Sequence, residues 1–161
     1  MTRTGQARMS IVPGTPMRKV IPPHLVGPYL NGQRSIIAGF VYRAREVAFH
    51  DPAECFMALR LGYEGSEFTA EMPEVCFLCW QAREMDTYVP TAGPGEPGGG
   101  WQELAPSARA VLASSSRVIP EFYTDPMPIP VGASIRRLTA RGDDLIARYD
   151  GLAWRRPTRE A

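Results

Sequence analysis

The sequence predicts an α+β domain: a mainly antiparallel, twisted sheet with two short helices packed against it and irregular connections. Three observations predict it. Segments 35–42 and 74–81 are apolar over strand-like lengths and rich in β-branched or aromatic residues. Segments 133–139 and 144–149 alternate around Arg141-Gly142-Asp143, the pattern of a hairpin. Helix-start signals are few, and the stretches that follow them are short.

Taken in order, residues 1–20 mix Gly, Pro, Thr and Arg without periodicity and are expected to form a flexible basic tail. A single domain is expected over 21–161. Pro22-Pro23 and Gly27-Pro28 punctuate its start, which reads as irregular but partly packed. Ser35–Tyr42 then reads as a buried strand.

Asp51-Pro52-Ala53-Glu54 is a helix start. Aspartate can cap the free amides, proline suits the first turn, and the glutamate three residues on can close a capping box. This helix is expected to run to about Leu61, with Gly62 as its left-handed stop. Glu74–Gln81 is apolar at both parities, which marks a strand covered on two faces and central in its sheet. Residues 86–103 form a Gly/Pro-rich surface loop, with Tyr88–Gly100 unable to sustain ladder or helix. Ser107 is expected to cap a second helix over 108–113. Arg117–Tyr123 reads as an edge or short strand because of Pro120. In the terminal hairpin, parity sets Ile135, Arg137 and Thr139 against Leu145, Ala147 and Tyr149.

At 161 residues the chain has the size of one domain. No apolar stretch approaches the roughly 18 to 20 residues that cross a bilayer, so no membrane association is expected. The three cysteines, Cys55, Cys76 and Cys79, are an odd set. That favours a reducing, cytoplasmic compartment over a disulfide scaffold, and export by a specialised secretion system is compatible with it. Net charge is +1, but residues 1–43 carry six basic and no acidic side chains, and residues 44–104 carry three basic and eleven acidic ones. Residues 130–161 carry seven arginines against four acidic groups. The ends therefore either fold against the acidic middle or offer a basic surface to an anionic partner.

Cys76-Phe77-Leu78-Cys79 matches Cys-x-x-Cys, but in a strand its two thiols point to opposite faces, so core packing is expected and no metal site. Nucleotide-triphosphate loops, nucleophile elbows and zinc-protease signatures are missing. The remaining constellation is Arg43 at the end of the first predicted strand, the polar loop bearing Ser66 and Thr69, and Glu121 entering a late strand. This order resembles the bacterial mono-ADP-ribosyltransferase toxins. The resemblance implies that Arg43 would hold the phosphates of NAD as substrate, Ser66 or Thr69 would support the site, and Glu121 would be the catalytic carboxylate stabilising the ribosyl cation as nicotinamide leaves. The chain lacks that family's Ser-Thr-Ser run and carries Ile119 two residues before Glu121.

The charge layout also fits a non-enzymatic protein-binding module of a bacterial interaction system, needing no cofactor, in which the cationic tail and acidic middle engage a protein partner and the 88–100 loop adapts to it. An electrostatic nucleic-acid binder would use Arg136, Arg137, Arg148, Arg155 and Arg156, with Trp154 to stack. A domain of net charge +1 weighs against that third class.

Overall fold

The computed structural model describes residues 11–91 and 119–158. Among the described residues eight strands form one sheet, in the order β4-β5-β2-β1-β3-β6-β7-β8, with every neighbouring pair antiparallel. The strands are β1 (Pro16–Ile21), β2 (Ile36–Arg43), β3 (Glu74–Gln81), β4 (Val89–Pro90), β5 (Phe122–Pro128), β6 (Ser134–Thr139), β7 (Gly142–Tyr149) and β8 (Trp154–Arg155). Two short helices among the described residues, α1 (Val26–Leu30) and α2 (Pro52–Ala58), make the fold α+β.

β3 is the interior strand that its sequence describes. Flanked by β1 and β6, it buries Val75, Cys76, Phe77 and Leu78 in succession, because apolar residues of both parities find cover. Two cores result. Met17, Ile37, Val41, Cys76, Leu78, Phe122 and Ile135 gather on the face where Tyr29 of α1 packs. Tyr42, Val75, Phe77 and Leu138 gather on the other, against Cys55 of α2 and Leu59. Each such side chain taken fully from water contributes about 1.5–3 kcal/mol.

Asp51 caps α2 as expected, its Oδ1 accepting from the Glu54 amide at 2.9 Å, but Glu54 Oε2 reaches past the cap and accepts from the His50 amide at 2.9 Å. It stops earlier than the sequence suggests. The left-handed residue is Arg60, at φ 55°, rather than Gly62, because Leu59 and Leu61 are both drawn into the core and the chain must reverse between them.

The expected basic tail over 1–20 ends sooner, since residues 16–21 form β1. Its central Arg18 and Lys19 hide the strand pattern, yet Met17 and Ile21 on one side of it are fully buried. The irregular start contains α1, a single turn preceded by a 3-10 turn at Pro23–Leu25. The late strand begins at Phe122 and continues through Pro126, which sits where the register to β2 shifts between Ile37 and Gly39. A bulge spares proline the ladder hydrogen bond it cannot donate. Gly39 lies opposite that shift at φ +92°, a conformation only glycine adopts without strain. The helix expected over 108–113 and most of the 86–103 loop lie outside the described residues.

The terminal hairpin is present, with Thr139 opposite Gly142. Its register shifts between Ile135 and Arg136, so Ala147 faces Ile135 but Leu145 faces Arg136. Among the described residues both edges of the sheet are two-residue strands, β4 and β8, which limits the open ladder available for unwanted pairing.

Candidate functional site

Side-chain alternation across the sheet decides which of the expected site residues can meet. Tyr42 belongs to the α2-side core, and its hydroxyl donates to Glu121 Oε2 at 2.8 Å. Thr91 donates its hydroxyl to Glu121 Oε1 at 2.9 Å and its amide to the Glu121 carbonyl at 2.9 Å. Glu121 is 1% exposed and is held on the α2 face.

Arg43, one residue past Tyr42, turns to the other face. It is also 1% exposed, with its guanidinium carbon 5.7 Å from the Phe122 ring centre and Nη2 2.6 Å from Glu46 Oε1. Phe122 itself belongs to the α1-side core. The fold thus places Arg43 at the end of β2 and Glu121 just before the neighbouring β5, and directs their side chains to opposite faces. Ser66 forms a local turn: its hydroxyl donates to the Leu61 carbonyl and accepts from the Phe68 amide at 3.1 Å. Thr69 is exposed in the same loop, and its carbonyl accepts from the Met72 amide.

The thiols show no activation. Burial pushes Cys55 and Cys79 up and raises Cys76 to about 11, so thiolate is scarce at neutral pH. Cys76 and Cys79 take opposite faces of β3, as alternation requires. Among the described residues no cluster of three or more His, Cys, Asp or Glu is placed to hold a metal ion.

Sequence reasoning missed two features. The first is Lys19, half-buried on β1, whose ammonium donates to the Phe40 carbonyl at 3.3 Å. Burial, aided by the nearby positive charge of Arg34, lowers its pKa from 10.5 to about 8, and Glu121 opposes the shift. The second is an arginine-lined groove of about 760 Å³, where β1 begins, β3 ends, β6 begins and β7 ends. Arg18, Arg83, Arg136 and Arg148 line it together with Ser134 and Gln81.

The groove follows from register. Arg18 pairs with Cys79, Cys79 with Ser134, Ser134 with Arg148, and Arg148 with Arg155, a continuous cross-strand row on the α2 face. Arg136, opposite Phe77, occupies the adjoining row on the same face. Arg18 lies 5.0 Å over the Phe77 ring and its Nη2 is 3.1 Å from Asp143 Oδ2. Arg136 Nε is 2.6 Å from Asp143 Oδ1. Arg155 Nε is 2.8 Å from Asp150 Oδ2. Arg148 is exposed and makes no ion pair among the described residues, although it stands directly opposite another arginine.

Of the arginines expected to bind nucleic acid, Arg137 turns to the α1 face toward Glu74, and Trp154 packs there on Tyr149, 5.3 Å between ring centres. The aromatic group that would stack on bases is therefore on the face away from Arg136, Arg148 and Arg155. No helix among the described residues is long and apolar enough to cross a membrane. Compared with known proteins, the chain matches no family model, no curated protein and no solved structure.

Proposed function

We propose that this domain is a non-enzymatic binding module whose α2 face engages an acidic segment of a protein partner. The observation that carries the reading is the groove in which Arg18 and Arg136 share the single carboxylate of Asp143, while Arg148 lines it with no ion pair among the described residues. Guanidinium groups fixed by a ring stack or an ion pair are ready to bind carboxylates two bonds at a time, with little ordering left to do. Like charges opposed on neighbouring strands, as at Arg148 and Arg155, disfavour each other until an anion lies between them. The 760 Å³ groove is within the range of a small ligand or a few residues of peptide.

The test is titration of the protein with a synthetic glutamate-rich peptide. The reading expects binding that weakens as salt is raised and is lost in Arg148→Glu, with the variant's fold checked by circular dichroism. Equal affinity in wild type and Arg148→Glu would reject the groove as the binding surface.

A second reading, NAD-consuming ADP-ribosyl transfer through Arg43 and Glu121 with Ser66 or Thr69 in support, is favoured by one observation. Arg43 and Glu121 are two of the three buried polar or charged residues among those described, and they lie on neighbouring segments at the β2–β5 pairing. Their opposite orientations place it second. NAD hydrolysis by the wild type that vanishes in Glu121→Gln would exchange the order of the two readings.

A further inference from the structure

We infer that the groove contains a phosphate subsite built from Arg148, Arg136 and Arg18, so that the acidic segment it takes is a phosphorylated one. The inference rests on the binding-module reading and deepens it. Asp143 already bridges Arg18 and Arg136, supplying one negative charge to two guanidiniums. Arg148 lines the same groove with no carboxylate among the described residues, and its cross-strand neighbours are Ser134 and a further arginine, Arg155, whose own partner is Asp150. The row thus supplies an unneutralised planar fork beside a hydroxyl.

A single carboxylate would satisfy Arg148 alone. A phosphoryl group, with a charge of about −1.5 to −2 at pH 7 and three acceptor oxygens, matches Arg148 together with the Ser134 hydroxyl and the free edges of Arg136 or Arg18. Arg18 is held against Phe77 and Arg136 against Asp143, so neither has to be ordered when the ligand arrives. Trp154, the aromatic expected to stack on bases, packs on Tyr149 at the opposite face, so a phosphopeptide is favoured over a nucleic acid.

The experiment uses the full chain and three probes: a glutamate-rich peptide with one central phosphoserine, the same peptide with serine, and a single-stranded DNA oligonucleotide. Inorganic phosphate serves as competitor. The expected result is about tenfold tighter binding of the phosphopeptide than of its serine form, the factor a charge-assisted hydrogen bond supplies. That preference should disappear in Arg148→Ala while weak binding of the serine form persists, and inorganic phosphate should erode it. It should also diminish below about pH 6, where the phosphate takes up its second proton, a change that a merely structural role of Arg148 would not produce. Equal affinity for the two peptides would overturn the phosphate subsite and leave the acidic-segment reading standing. Binding of neither peptide would overturn both, and tighter binding of the oligonucleotide than of the phosphopeptide would replace the peptide with nucleic acid. Arg148 is exposed, so Arg148→Ala should retain the wild-type circular dichroism and melting temperature.

Discussion

Replacing Lys19 with methionine should stabilise the protein at neutral pH, by an amount that shrinks as pH rises. In the folded chain the ammonium is half-buried near Arg34, and its pKa falls from 10.5 to about 8. Each unit is worth 1.36 kcal/mol, so the charged lysine costs at most roughly 3–4 kcal/mol of stability, less whatever water screens at its exposed part. Below pH 8 the side chain is protonated in both folded and unfolded chains, and the full cost applies. Between pH 8 and 10.5 the folded lysine sheds its proton while the unfolded one keeps it, so wild-type stability gains relative to the variant. Above 10.5 both are neutral and the difference closes. Methionine keeps the apolar stem and gives up only the 3.3 Å bond to the Phe40 carbonyl.

Urea unfolding of both proteins at pH 7, 8, 9 and 10 measures this. The three thiols act oppositely, because the unfolded chain ionises cysteine near pH 9 and the folded one resists; both proteins share that loss, and it cancels in the difference. A wild type more stable than the variant at pH 7, or a difference that does not change with pH, would refute the assignment of a costly charge to Lys19.

Two further outcomes are expected. Asp51→Ala removes the carboxylate that accepts from the Glu54 amide, and should cost about 0.5–2 kcal/mol in chemical denaturation. Tyr42→Phe deprives the buried Glu121 carboxylate of its 2.8 Å hydroxyl donor and should cost about 1–3 kcal/mol, a larger loss than a tyrosine hydroxyl at the surface would cause.

The parts of the fold legible in the sequence are those fixed by an unbroken apolar run or by a local cap. β3 could be read because Val75 through Leu78 are all buried, and α2 because its cap is local, Asp51 to Glu54. β1 could not be read. Its charged middle is compatible with a central strand only because Arg18 finds the Phe77 ring and Asp143, which is 125 residues away, while Lys19 accepts a depressed pKa. α1 was masked by Gly27-Pro28, which reads as a break in isolation; Pro28 lies within the helix's first turn, where no amide is needed.

The candidate site was harder still. Arg43 and Glu121 are prominent as single residues, but the face each occupies depends on the pairing of Val41 with Phe122, a register that no short-range pattern encodes. The groove requires Arg18 to be brought beside Arg136 and Arg148 by the β1-β3-β6-β7 order. Composition records those arginines only as two basic ends of the chain, and topology assembles them into one surface.

The most direct test of that surface is amide chemical-shift mapping by NMR as the glutamate-rich peptide is titrated into labelled protein. The binding-module account predicts that the largest shifts fall on Arg18, Cys79, Ser134, Arg136 and Arg148, with Arg43, Ser66 and Glu121 unmoved. Shifts concentrated around Arg43 and Glu121, or absent from the arginine row at saturation, would contradict it.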